Sequence, residues 1–144
     1  MKLLSIAKGA SGGELSRVML AVEVVLAKNS AVGTYIFDEV DAGIGGEAAV
    51  AVATALRELG NDHQVIAVTH LAQVAASAHG QVAVSKSVKA GKTYGAATRV
   101  AETERANEIA RMLSGGVADE SANAHARDLL EKLGGQKKRS QRSS

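Results

Sequence analysis

Three short clusters in this chain hold residue types that can do chemistry together. The first is Ala10-Ser11-Gly12-Gly13-Glu14. Two glycines let a ligand approach the backbone, and a helix that starts there offers unpaired N–H groups and a positive dipole end. With the Ser11 hydroxyl beside them they form an anion cradle suited to a phosphate. The same residues also satisfy a plain capping box, with Ser11 as N-cap and Glu14 three residues on. The second cluster is Tyr35-Ile36-Phe37-Asp38-Glu39. An apolar strand with an Asp at its tip suits a magnesium ion beside a nucleotide, held partly through water. Glu39 next to it is placed to orient and deprotonate an attacking water. Acids in a solvated loop after a strand are the plain alternative. The third is Thr69-His70, which follows the apolar run 64–68. A histidine there can touch a terminal phosphate and the attacking water, or be a satisfied structural residue.

These clusters need elements to position them. Leu15, Val18, Met19, Val22, Val25 and Leu26 recur at helical spacing, which predicts a helix over 14–28 with Ser11 as its cap. Residues 34–37 read as a buried strand, 43–46 as a glycine-rich loop and 47–59 as an Ala- and Val-rich helix. A turn at 60–62 leads to a second buried strand over 64–68, then a short helix over 71–78. Strands over 81–88 and 93–100 join at 89–92, and helices follow over 102–113 and 121–133. Apolar strands alternating with helices imply a parallel α/β sheet covered on both faces. In such sheets ligands gather beyond the carboxyl ends of the strands, where Asp38-Glu39 and Thr69-His70 both fall. The chain has no proline and no internal repeat.

Composition narrows the function classes. A chain of 144 residues fits one domain, and 46% hydrophobic with 22% charged residues is globular. Aromatics are 2% and Trp is absent, which excludes a nucleic-acid surface built on stacked aromatic rings. With no cysteine, thiolate metal sites, disulfides and cysteine nucleophiles are excluded. The apolar run 48–56 is far short of the ~20 residues a bilayer span needs, and the N-terminus lacks a signal peptide's apolar region. A soluble, cytoplasmic protein is expected. Lys and Arg total 17 against 15 Asp and Glu, but four of the basic residues lie in 136–144, so the rest of the chain is slightly acidic. That tail can touch phosphates or simply be solvated. His63 and His79 lie beside turns and are expected to be exposed, and His125 is expected to pack or cap on its helix. No His and carboxylate pair has zinc-site spacing.

Taken together, the clusters resemble the C-terminal half of an ABC-type ATPase: signature motif, Walker B, D-loop and switch histidine, in that order. The wording of Ala10-Ser11-Gly12-Gly13-Glu14-Leu15-Ser16-Arg17, of Phe37-Asp38-Glu39-Val40-Asp41-Ala42-Gly43-Ile44-Gly45-Gly46 and of Thr69-His70-Leu71-Ala72-Gln73-Val74-Ala75 resembles the RecN family. Glu108-Ile109-Ala110-Arg111-Met112-Leu113 and Ala124-His125-Ala126-Arg127 are also similar to it. These are SMC-like ATPases of bacterial double-strand-break repair. The resemblance implies an α/β fold, the C-terminal lobe of an ABC/SMC-type P-loop NTPase head, with a mostly parallel sheet flanked by helices and no Walker A lobe. Residues 10–135 would be that half head, 1–9 a leader and 136–144 a basic disordered tail.

The resemblance also implies roles. Ser11, Gly12 and Gly13 would clamp the γ-phosphate of ATP bound to another head, while Glu14 caps the helix. Asp38 would position Mg²⁺ through water, and Glu39 would be the catalytic base. Asp41 would link the two sites across the head dimer, and His70 would sense the γ-phosphate. Arg17 either couples ATP binding to the coiled-coil arm or is a surface salt-bridge residue. ATP and Mg²⁺ are the implied cofactors. The implied partners are an N-terminal P-loop lobe with a second head, and DNA through the full assembly, with no membrane. A nucleoid-associated, cytoplasmic location goes with them. Two departures stand out. Ala72 replaces the family's proline, removing a rigid helix start. No P-loop is present: Gly91-Lys92-Thr93 is the only Gly-Lys-Thr, with Lys86 where the first glycine belongs, and it reads as a hairpin turn. A C-terminal piece of a RecN-like protein, unable to hydrolyse ATP alone, is therefore expected. Two other readings remain: a non-enzymatic assembly or DNA-contact module, and the nucleotide-binding half of an ABC transporter.

Overall fold

The computed structural model describes residues 11–29, 31 and 33–135; the expected leader and basic tail lie outside them. Helix α1 (Gly12–Leu26) runs into a 3-10 turn at Ala27–Asn29 and is followed by β1 (Thr34–Phe37). Next come α2 (Gly46–Leu59), β2 (Gln64–Ala67), the short α3 (Ala72–Ser77), the hairpin β3 (Val82–Lys89) and β4 (Lys92–Arg99), α4 (Arg105–Ser114) and α5 (Glu120–Leu133). Every predicted element forms, with ends shifted by a few residues.

β1 and β2 pair in parallel, with Tyr35 opposite Val65 and Phe37 opposite Ala67. Val68 N–H donates to the Phe37 carbonyl at 3.0 Å, so both strands end level at one edge. That register carries the residues after each strand, Asp38-Glu39 and Val68-Thr69, out at the same edge. Along β1 the side chains alternate: Tyr35 and Phe37 are buried, whereas Ile36 is 71% exposed. The core beneath the buried face joins Leu20 of α1, Val52, Leu56 and Leu59 of α2, Val40 and Val74.

This corrects the expectation of a sheet covered on both faces. Among the described residues only one face is packed, and Ile66 and Val68 are about half exposed. An apolar run cannot tell which of its faces finds a cover, because that depends on elements elsewhere in the chain. β3 and β4 form a separate antiparallel pair, with positive φ at Ala90 and Gly91 in the two-residue turn. Gly91-Lys92-Thr93 thus lies at a hairpin tip, where no helix follows to present a phosphate.

A second core holds Ala72, Ala75 and Ala76 of α3 against Ile109 and Ala110 of α4 and Ala126 and Leu129 of α5. Six-residue α3 serves both cores, since Val74 belongs to the first. Its carboxyl end is gripped by two arginines. Arg57 donates to the Ser77 carbonyl at 2.7 Å, and buried Arg105 donates to the carbonyls of Ala75 and Ala78, both at 3.0 Å. A cation at that end also opposes the helix dipole. On α4, Arg111 holds Glu108 through two hydrogen bonds, at 2.8 and 2.6 Å. At an exposed site this pair contributes about 0.5 kcal/mol.

The histidines correct and confirm the expectation in turn. His63 is half-buried, with Nε2 3.1 Å from the Ala27 carbonyl and its ring edge-on to Tyr35. His79 and His125 are exposed, so His125 is not packed as expected. Desolvation, followed by the charges of Arg57 and Arg105, holds His79 below its usual value of 6.5. The unfolded chain therefore takes up this proton at higher pH than the folded one, and the linked stability is present above 6.5 and lost as pH falls below it. A modest fall of the urea midpoint on acidification is expected, and His79→Gln is expected to flatten it.

Candidate functional site

Helix α1 begins as its sequence dictates. The Ser11 backbone N–H donates to Glu14 Oε2 at 2.8 Å and Glu14 N–H donates to Ser11 Oγ at 3.3 Å, a complete capping box. Those bonds leave the glycines to face the acid turn. A Cβ on Gly12 would lie 2.5 Å from Glu39 Oε2, and one on Gly13 would lie 2.9 Å from both the Glu39 carbonyl and Ala42 Cβ. The diglycine is what lets the helix start sit directly on the turn after β1.

Two side chains of α1 fasten it there. Ser16 Oγ donates to the Asp38 carbonyl at 2.8 Å, and Arg17 Nη1 donates to the carbonyls of Ala42 at 2.9 Å and Val40 at 3.3 Å. Arg17 makes no ion pair among the described residues; it ties the first cluster to the second. Ser16 was not singled out in the sequence. Its signal is spacing, since residues 12, 13, 16 and 17 share one face of a helix.

The turn itself is strained. Glu39 adopts φ +57, a left-handed conformation that costs a side-chain-bearing residue about 1 kcal/mol. Asp38 Oδ1 supports it by accepting the Glu39 N–H at 2.9 Å. Both acids are exposed, so Glu39 has access to water as a base requires.

Asp41 behaves differently from its neighbours. Its side chain is 3% exposed, and Oδ2 accepts from the Thr69 hydroxyl, from His70 N–H at 3.0 Å, and lies 3.3 Å from His70 Nδ1. Thr69 Oγ1 in turn accepts the Leu71 N–H at 3.0 Å. The His70 ring is 71% exposed. Asp41 thus clasps the end of β2 to the end of β1 from within the same chain. All the expected site residues, Ser11 to Glu14, Asp38, Glu39, Asp41 and His70, lie along this one edge, linked by the contacts just described.

The chain is 54% identical over 126 residues to DNA repair protein RecN of Streptomyces coelicolor, covering 88% of this chain and 22% of that protein. The chain belongs to the RecN family. RecN of Mycobacterium leprae is 51% identical over 131 residues, and RecN of Deinococcus radiodurans 54% over 121. This RecN-family chain spans about a fifth of the length of those relatives, corresponding to a C-terminal part. No family model matches it.

The geometry also bears on what the site can hold. Among the described residues no three His, Cys, Asp or Glu side chains cluster as a metal cage. Magnesium at nucleotide sites needs no such cage, since it binds through one or two carboxylates with phosphate and water. Exposed Asp38 fits that use, because one oxygen is engaged by Glu39 N–H and a carboxylate has more acceptor sites than that bond takes.

The two glycines give a paired prediction. In Gly12→Ala the new methyl meets only the tip of Glu39, so the fold keeps or gains up to about 1 kcal/mol from helix propensity, while the carboxylate is displaced. In Gly13→Ala the methyl meets the Glu39 backbone, and a net loss of about 1–2 kcal/mol is expected. Urea unfolding of the two variants separates them.

Proposed function

We propose that this chain is the water-activating and phosphate-clamping part of an ATPase head in a DNA double-strand-break repair and recombination protein. The observation that carries the proposal is the level ending of parallel β1 and β2, with the turn that holds Asp38, Glu39 and Asp41 tied through Asp41 to Thr69-His70 and the α1 start packed against the same turn. In this reading Glu39 orients the attacking water and takes its proton. Asp38 is the carboxylate toward Mg²⁺, which when bound neutralises phosphate charge. His70 faces the terminal phosphate. Ser11, Gly12 and Gly13 clamp the γ-phosphate of ATP carried by a second head, and the loop containing Asp41 adjoins the junction of the heads. Arg17 and Ser16 make the clamp and the acid turn one mechanical unit. The relatives are named DNA repair proteins, which favours this over a transporter subunit.

The nucleotide would be gripped mainly by a P-loop lobe from the rest of the longer protein. Positioning and charge neutralisation dominate phosphoryl transfer, so the chain alone should turn over ATP negligibly. The test is to mix the chain with a separately made N-terminal lobe carrying a P-loop and to measure phosphate release. Activity appearing only in the mixture supports the proposal. If no activity appears, while salt-dependent DNA binding is lost on deleting 136–144, the chain is a contact module instead.

A further inference from the structure

The contacts of Asp41 point to a role within its own chain, and this inference rests on the reading of His70 as a phosphate- and water-facing group. An ionised carboxylate only accepts hydrogen bonds. Its Oδ2 already takes the Thr69 hydroxyl and the His70 N–H, and it faces His70 Nδ1 at 3.3 Å. On a neutral His70 ring the proton is then favoured on Nδ1, the nitrogen turned toward the carboxylate. We infer that Asp41 is a positioning residue that fixes His70 as the Nδ1–H tautomer and presents Nε2 outward.

The consequence is chemical. A neutral ring held this way has an unprotonated Nε2, which accepts a hydrogen bond from a water. It donates from Nε2 to a phosphate oxygen only after binding a second proton, and Asp41 then faces the resulting cation. Without Asp41 an exposed imidazole favours Nε2–H, which donates to phosphate but accepts nothing from water at that atom. The contact therefore decides which partner His70 serves in each protonation state. The asymmetry of exposure fits this role: the carboxylate is 3% exposed and the ring 71%, so the fixed end is buried and the working end is free. Thr69 shares the same oxygen, so the clasp holds the strand end as well as the ring.

The test uses the whole chain labelled with ¹⁵N-histidine and needs no nucleotide. The His70 ring signals are assigned by their loss in His70→Gln. At a pH where the imidazole is neutral, the wild type is expected to show a protonated, pyrrole-type Nδ1 and a pyridine-type Nε2. In Asp41→Ala the two shifts are expected to exchange as Nε2–H becomes the major form. A wild-type ring that is mainly Nε2–H overturns the inference, as does a folded Asp41→Ala chain that keeps Nδ1–H. If Asp41→Ala does not fold, the wild-type spectrum alone still decides. Because the readout involves no ATP, it can fail while the ATPase reading stands, and the mixing experiment above can fail while the tautomer holds.

Discussion

Glu39→Gln is expected to abolish ATP turnover in the reconstituted head. The substitution keeps size and hydrogen-bonding reach but removes acceptance of the water's proton. General-base catalysis contributes roughly 10²- to 10⁴-fold, so phosphate release should fall by at least a hundredfold. The fold should not suffer, since Glu39 is exposed and its strained backbone is supported through its N–H by Asp38. Binding of ATP to the mixture should persist, which separates loss of chemistry from loss of assembly. Unchanged turnover in Glu39→Gln would remove Glu39 from the base role and leave Asp38 or His70 to be tested next.

Arg105→Ala carries the largest stability effect expected here. The guanidinium is buried at 6% exposure and caps the carbonyls of Ala75 and Ala78, with the exposed Glu102 carboxylate 3.8 Å away. Removing it leaves acceptors at the end of α3 poorly satisfied and opens space against the second core. A loss of about 2–3 kcal/mol is expected in urea or guanidinium unfolding. Lysine should restore only part of it, because a compact, strongly hydrated ammonium is harder to bury than the guanidinium whose Nη2 serves both carbonyls. Since α3 begins two residues after His70, loosening its far end should also broaden the His70 signals. That readout ties the packing of the second core to the edge where the acids sit.

Much of this was legible before any coordinates. The Ser11 cap, the helical spacing of α1 and the hairpin at 82–99 depend on groups close in sequence, and the strand at 34–37 shows in its run of β-prone residue types, all of which residue type and spacing report directly. The candidate site residues were legible for a related reason. Chemistry needs particular side chains at the ends of strands, and Asp38-Glu39 and Thr69-His70 stand where apolar runs stop. Arg17 was seen but left between two roles, and Ser16 was passed over. Their partners are carbonyl groups of residues 38, 40 and 42, and backbone acceptors carry no sequence signature.

The amino-acid sequence alone determined which elements form, in what order, and which residues bring acid, base and hydroxyl chemistry to their ends. Tertiary structure decided the rest. It turned Asp41 inward onto Thr69 and His70, set Glu39 against Gly12, covered one face of the parallel pair among the described residues while Ile36 stayed exposed, and drew His63 against Tyr35. Local propensity and periodicity act over a few residues. The choice of partner acts across separations of about thirty, where only the packed chain says which groups meet.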